Sequence, residues 1–351
     1  MSDSGSRRNF FKPKTLGKLL STVTEGEWSA SARASQGLIC RVGREAMATR
    51  FEILMDFLDF DFMPAAEKGL ELIADLETQM TVYREESEVS RLNAIAAEEA
   101  VPVEPLLFSL FQQCREWWDE TDQAFDITLH ALLKEWGLFK GPRRVPSPED
   151  LENLKTRSGF DKVILDEQER TVRYRVPGVG INLAAVGKGY ALDRCGGLLK
   201  ENGLKHFLVH GGHSSMLGQG TSTWDRGWLV DLLHPLDWSV PLAKVRLLNM
   251  ALSTSALERE TVLEGKIPHV LDPRTGCPVE ADLLSVSVLT TTAAKAEALS
   301  TALLVMGLDN AVEYCEKHDD VGAVLIRWNA ELEAPELILT AYARPHVEVL
   351  N

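Results

Sequence analysis

Cysteine is scarce: five thiols in 351 residues, Cys40, Cys114, Cys195, Cys277 and Cys315, odd in number and without a C-x-x-C pair. That spacing excludes a readable zinc site and a disulfide framework. Positive charge is also in deficit. With 52 acidic against 37 basic residues the formal net charge is -15, so no dominant basic face is expected and no nucleic-acid partner. No stretch approaches the roughly eighteen consecutive apolar residues of a membrane span. A G-x-x-x-x-G-K-[ST] phosphate loop and an internal repeat of solenoid period are missing as well. What is present is an ordinary globular composition, 45% hydrophobic and 25% charged, long enough to bury a large core as one domain or two interleaved lobes.

The amino terminus carries Ser6-Arg7-Arg8-Asn9-Phe10-Phe11-Lys12, which looks like a twin-arginine export motif. The segment behind it holds Lys14, Lys18, Glu25 and Glu27 and no apolar h-region, and Ile39 before Cys40 makes a poor lipoprotein cleavage site. Residues 1–40 therefore read as a disordered leader before one domain over 41–351. Cytoplasmic residence is preferred, with export or membrane association through the leader as the alternative.

Hydrophobic periodicity organises the rest. Phe51, Ile53, Met55 and Phe57 alternate with Glu52 and Asp56 as in a half-buried strand. Leu70, Ile73, Leu76 and Met80 recur at helical spacing after Pro64, and a second helix is predicted from Pro105 to about Asp119. Strands are expected near 162–166, 171–176, 206–210, 228–234, 244–252, 284–290, 321–328 and 336–342, and helices near 187–201, 293–306 and 309–317. Strands in runs with helices inserted irregularly fit an α+β class.

Three stretches carry chemistry. Pro268-His269-Val270-Leu271-Asp272-Pro273-Arg274-Thr275-Gly276 puts an imidazole, a carboxylate and a guanidinium on a Pro/Gly-punctuated turn. In Asn182 to Asp193, a strand ends and a helix begins around Gly187-Lys188-Gly189, which lets backbone N–H groups approach a pyrophosphate while Lys188 supplies charge. A plain strand-to-helix connection with a surface lysine is the competing reading. Glu297 and Thr301 stand four apart on a predicted helix, so both project toward one point, as a hard cation such as Mg2+ requires; a solvated Glu and a back-bonded Thr form the alternative.

In order and spacing these stretches, with Met47 to Phe51, Met80 to Arg84, Ser87 to Asn93, Phe125 to Thr128, Trp136-Gly137 and Leu208 to Gly218, resemble the ApbE-type FAD:protein FMN transferases from about Met47 to Gly307. The resemblance implies an ApbE-like mixed-sheet fold with flanking helices and two interleaved lobes around a flavin cleft. It implies a Mg2+-dependent enzyme that moves FMN from FAD to a Ser/Thr hydroxyl in a flavinylation motif of an acceptor protein and releases AMP. His269 would act as the base and Lys188 would hold the phosphates. Glu297, Thr301 and the Ala185 carbonyl would hold the metal. Met47, Met80, Thr81, Tyr83, Asp126, Thr128, Ser255, Val270 and Asp272 join Lys188 and His269 as cofactor contacts, with core packing the alternative for the methionines and an N-cap the alternative for Asp126. Asp272 would orient His269 or hold its own turn.

The chain departs from the family pattern at three places. Glu297 stands where Asp is usual, which brings Mn2+ in beside Mg2+. Val209-His210-Gly211-Gly212-His213 lacks the usual acidic residue after the paired glycines, and Thr254-Ser255-Ala256 replaces a Ser-Gly pair. His210 and His213 read either as an alternative metal or proton site or as incidental. Three activities stay open: the transferase, an FAD pyrophosphatase yielding FMN and AMP, and a non-catalytic FAD-binding protein of the same fold.

Overall fold

The alternation at Phe51, Ile53 and Met55 is realised as a strand in the computed structural model of the chain, which describes residues 38–138, 142–221, 226–257, 269–280 and 282–350. The strands in chain order are β1 (Ile39–Ala46), β2 (Thr49–Asp56), β3 (Val101–Pro102), β4 (Val163–Asp166), β5 (Thr171–Tyr174), β6 (Phe207–Gly211), β7 (Ser215–Gln219) and β8 (Trp228–His234). They continue with β9 (Asp237–Leu247), β10 (Met250–Ala256), β11 (Leu271–Asp272), β12 (Cys277–Pro278), β13 (Ser285–Thr290), β14 (Gly322–Asn329), β15 (Ala334–Leu339) and β16 (Val347–Val349). The helices are α1 (Met63–Met80), α2 (Glu88–Ile95), α3 (Pro105–Glu120), α4 (His130–Glu135), α5 (Pro148–Lys155), α6 (Gly187–Glu201), α7 (Ala293–Met306) and α8 (Leu308–Lys317). The α+β class is what the structure shows.

A central sheet runs in the order β1-β2-β6-β7-β10-β13-β14-β15 with antiparallel neighbours. Because successive residues of a strand face opposite sides, Ile53, Val209, Leu217, Val286 and Leu325 pack into the helical core. Leu54, Leu208, Met216, Leu289 and Ile326 pack instead against Trp228, Val230 and Val245 of the β16-β9-β8 sheet. The sheet is thus covered on both faces, and its buried strands read as apolar runs rather than strict alternation. Helix α7 is largely apolar and buried through most of its length, which makes it the centre of the helical layer.

Local chemistry sets the element ends. Pro105 opens α3, and the Glu104 carboxylate accepts from Leu106 and Leu107 N–H at 3.0 and 2.9 Å. Ser87 caps α2 by accepting from Ser90 N–H at 3.0 Å, so Ser87 to Asn93 is a full helix rather than an isolated turn. The expected strand over 244–252 is two strands: Asn249 takes φ 54 and turns β9 into β10. Apolar Leu247, Leu248 and Met250 on either side of Asn249 conceal that turn, which Asn tolerates better than most residues. Asn249 also accepts from Gln219 Nε2 and Gly220 N–H at 2.6 and 2.8 Å. Ile39 and Cys40, read from sequence as leader, begin edge strand β1 opposite Asp56 and Met55. Residues 1–37, with the twin-arginine-like motif, lie outside the described residues, as does Pro268.

Candidate functional site

Helices α6 and α7 exchange caps where their amino ends cross. Asp193 of α6 accepts from Ala293 and Ala294 N–H at 2.8 and 2.9 Å, while Glu297 of α7 accepts from Gly189 N–H at 2.6 Å. Each carboxylate thereby meets unsatisfied N–H groups of the other helix, where the helix dipole favours negative charge. The approach is so close that a Cβ on Gly189 would stand 2.2 Å from the Ala293 carbonyl oxygen. Burial pushes Asp193 up to about 6 against those two hydrogen bonds. Glu297 is 4% exposed, and its second oxygen takes the Lys188 ammonium in direct contact. A carboxylate in an apolar helix is stable only with partners of this kind.

Beside this crossing lies a cavity of about 360 Å³. The 182–188 turn, the end of β10, the 269–273 turn, the 124–133 segment and α7 all line it. Lys188, Ala185, Ser255, His269, Val270, Asp126, Glu297 and Thr301, which the sequence scattered over 176 positions, are all in its wall (Thr301 minus Asp126 is 175, counted inclusively). The turn is delivered by hydrogen bonds: Asn182 N–H donates to Ile127 O at 2.7 Å, and its side chain accepts from Ala184 N–H at 2.9 Å. One residue earlier, Asn93 grips both the N–H and the C=O of Ile181 at 2.7 and 2.8 Å.

Asp126 is buried in the wall. Its Oδ1 accepts from Thr128 N–H and Oγ1, each at 2.7 Å, and its Oδ2 from Trp118 Nε1 at 3.3 Å. Burial lifts it to about 6 in spite of those bonds. It forms a tight Asx turn; α4 has Leu129 at its N-cap, with no side-chain cap bond. His269 is exposed at the wall. The Asp272 carboxylate accepts from Arg274 N–H at 2.9 Å and holds the guanidinium through two bonds of 2.9 and 2.8 Å, so it ties its own turn together. Gly276 (φ 72) closes that turn, with Gly276 N–H donating to Asp272 O at 2.8 Å and Trp136 Nε1 donating to Gly276 O at 2.9 Å.

Met47, Met80, Thr81, Tyr83, Thr128 and Asp272 are not among the lining residues. Met80 is buried, and its Cε lies 3.8 Å from where a Gly187 Cβ would stand, so the 80–83 segment adjoins the Lys188 helix end. Tyr83 is exposed. Met47 sits at φ 49 in the β1–β2 turn, which packs through Thr49 on Gly212, two residues from Ser214 of the wall. Thr128 instead accepts from Gly159 N–H at 2.6 Å. Sequence reasoning missed Asn182, Ser214, Ser253 and Thr254 as wall residues. For Ser253 and Thr254 the signal was the hydroxyl-rich run Ser253-Thr254-Ser255 on a strand end.

The histidines of the β6–β7 hairpin do other work. His210 Nε2 lies 3.3 Å from Glu52 and its Nδ1 3.2 Å from Gly212 O, while His213 stands against the exposed Trp238 ring. Burial alone would raise Glu52, but hydrogen bonds from His210 and Arg50 and the charge of Arg41 hold it at about 2.

The donor set suits a hard cation. Ser255 Oγ stands 2.9 Å from Ser300 Oγ and 3.0 Å from Thr301 Oγ1, and Thr301 is back-bonded as the alternative reading expected, its Oγ1 donating to the Glu297 backbone carbonyl at 3.3 Å; Ser255, Thr301, Glu297 and Ala185 share one wall. One carboxylate with hydroxyls and a backbone carbonyl is a kind of partial oxygen shell that Mg2+ accepts. Among the described residues no cluster of three or more His, Cys, Asp or Glu forms a metal site.

A model of the ApbE family matches residues 47–325. The FAD:protein FMN transferase of Escherichia coli (strain K12) is 29% identical over 262 residues, covering 71% of this chain and 74% of that one. The Haemophilus influenzae protein of the same name is 26% identical over 265 residues, covering 73% and 76%. Among solved structures, the flavin transferase ApbE from Vibrio cholerae superposes with TM-score 0.77 at 22% identity, over 89% of this chain and 100% of that one. The ApbE protein of Thermotoga maritima does so with TM-score 0.77 at 26% identity, over 88% and 99%.

Proposed function

The chain belongs to the ApbE family, and from that premise we propose that it is an FAD:protein FMN transferase using Mg2+, with a Ser or Thr hydroxyl as acceptor and AMP as leaving group. Relatives that carry this name support flavin transfer itself. The observation that most supports the finer reading is one cleft walled jointly by His269, Lys188, Glu297 and Thr301. Its volume, about 360 Å³, is at the lower end for ligand sites, so it takes part of a dinucleotide and leaves the rest toward the rim. Met47, Met80, Thr81 and Tyr83, outside the lining itself, are the proposed flavin contacts, and the closeness of Met80 to Gly187 supports the reading.

In this reading Lys188 and the N–H groups at the start of α6 hold the diphosphate. His269 takes the proton of the acceptor hydroxyl as its oxygen bonds to the FMN-side phosphorus. The bond from that phosphorus to the bridging oxygen breaks, and AMP leaves with the oxygen. Glu297, Thr301 and the Ala185 carbonyl would hold Mg2+, which supplies charge neutralisation at the diphosphate. Asp126 and Ser255 serve as cofactor contacts in the wall; Val270 contributes apolar surface, and Asp272 acts on the turn through Arg274.

Intact-mass measurement of an acceptor protein incubated with the chain, FAD and Mg2+ tests the proposal. Transfer adds one FMN less water and releases one AMP, and His269→Ala slows it by about a hundredfold or more. Free FMN and AMP without an adduct would make the chain a pyrophosphatase. FAD retained without AMP release would make it a binding protein.

A further inference from the structure

The charges that line the cleft cancel where an anion would need them most. Lys188 is the lysine of the wall, and its ammonium is in direct contact with Glu297, so the pair contributes no net charge toward a diphosphate. The two partners are held very differently. Glu297 is fixed: its other oxygen is bound to Gly189 N–H at 2.6 Å, its side chain is 5% exposed, and its helix is locked to α6 by the Asp193 cap. Lys188 is a flexible four-carbon stem, 25% exposed, tethered at the first turn of α6. The carboxylate shares the cavity wall with the Thr301 and Ser255 hydroxyls, which stand 3.0 Å from each other while Thr301 Oγ1 also donates to the Glu297 backbone carbonyl at 3.3 Å, and such a carboxylate is the anchor that a hard cation would use. Ammonium and cation therefore compete for the same oxygen.

We infer that Lys188 is an exchangeable counter-ion: it neutralises Glu297 in the ligand-free protein, yields the carboxylate to a divalent cation, and then bonds to diphosphate oxygens. Its diphosphate half rests on the FAD reading above; its cation half rests on the residues alone. The exchange changes the charge offered by the pair and the cation together from zero to plus two. Cation and diphosphate then strengthen each other's binding by one and the same factor, since coupling between two ligands is reciprocal. The glutamate is suited to this role, because it spans from α7 to Gly189 N–H and the lysine at once.

The test is Mn2+ binding to the flavin-free full chain, followed by electron paramagnetic resonance of the free ion. Lys188→Met removes the competitor and is expected to tighten Mn2+ binding about tenfold, Lys188→Arg to leave it near the wild-type value, and Glu297→Gln to abolish it. In FAD titrations with Mn2+ present, Lys188→Met weakens FAD about tenfold. Thermal unfolding separates this from a structural role: Lys188→Met melts lower in EDTA and recovers with Mn2+, whereas Lys188→Met/Glu297→Gln shows no Mn2+ response. A measurement on wild type covers the case of poorly folding variants. Reductive methylation of Lys188, read by peptide mass, accelerates when Mn2+ is added and slows again when FAD joins. Unchanged or weaker Mn2+ binding in Lys188→Met, or a methylation rate indifferent to Mn2+, overturns the exchange. Failure of FMN transfer alone would overturn the transferase reading and leave the Mn2+ order of these variants standing.

Discussion

Single residues here are legible in type but not in partner. Glu297 and Thr301, four apart, were visible as one helix face, and Lys188 as the charge of a glycine bend. That Lys188 and Glu297 touch across 109 positions depends on how two helices cross, which no local pattern encodes. Glu52 shows the same limit: within a strand it reads as a solvent-facing acid, yet it is 6% exposed among Arg41, Arg50 and His210. Those partners lie on β1, on β2 and on β6, and the last is brought in by a pairing over 158 positions (His210 minus Glu52). Because the folded carboxyl is held at about 2, below its unfolded value, Glu52 adds stability at every pH above about 4.5 and loses it as pH falls toward 2. Glu52→Gln should therefore cost at most about 3 kcal/mol at neutral pH. Denaturant titrations from pH 8 to pH 2.5 should show the mutant and wild-type curves converging on the acid side; a gap that persists or widens there would refute the assignment.

Elements were more legible than residues where periodicity or punctuation was strong. Helices α6 and α7 match their expected spans of 187–201 and 293–306, since each is bounded by glycine, threonine or asparagine. The short β7 escaped notice because its first four residues are buried and it carries Gly218, where a Cβ would stand 2.7 Å from Leu247 Cβ. The β9–β10 turn escaped because apolar residues flank Asn249. The helix crossing adds its own requirement, since Gly189 sits on the backbone of Ala293 rather than on a movable side chain. Gly189→Ala must push α6 and α7 apart, separating Glu297 from Gly189 N–H. A destabilisation of about 3 kcal/mol is expected, larger than the helix-propensity gain of alanine. Chemical denaturation measures it, and a neutral or stabilising effect would show that the helices do not cross at this distance.

At the scale of the whole molecule the order of strands decides function. Placing β10 between β7 and β13 brings the Ser253–Ala256 strand end to the same cleft as the 182–188 turn and the 269–273 turn. The α+β class could be read from strand and helix order; this placement could not, because the sheet order β6-β7-β10-β13 skips β8 and β9, which form the second sheet. Among the described helices none is long and apolar enough to cross a membrane. The central claim is that this cleft receives the dinucleotide. Its most direct test is the thermal shift produced by FAD with Mg2+ in the wild type and in Ala256→Trp, which fills the cleft from a wall residue that has no part in the chemistry. A ligand bound only to the folded state must raise the melting temperature, by about 2.7 kcal/mol of added stability at a hundredfold excess over Kd. The wild type should shift and Ala256→Trp should not; equal shifts in both would mean that FAD binds elsewhere.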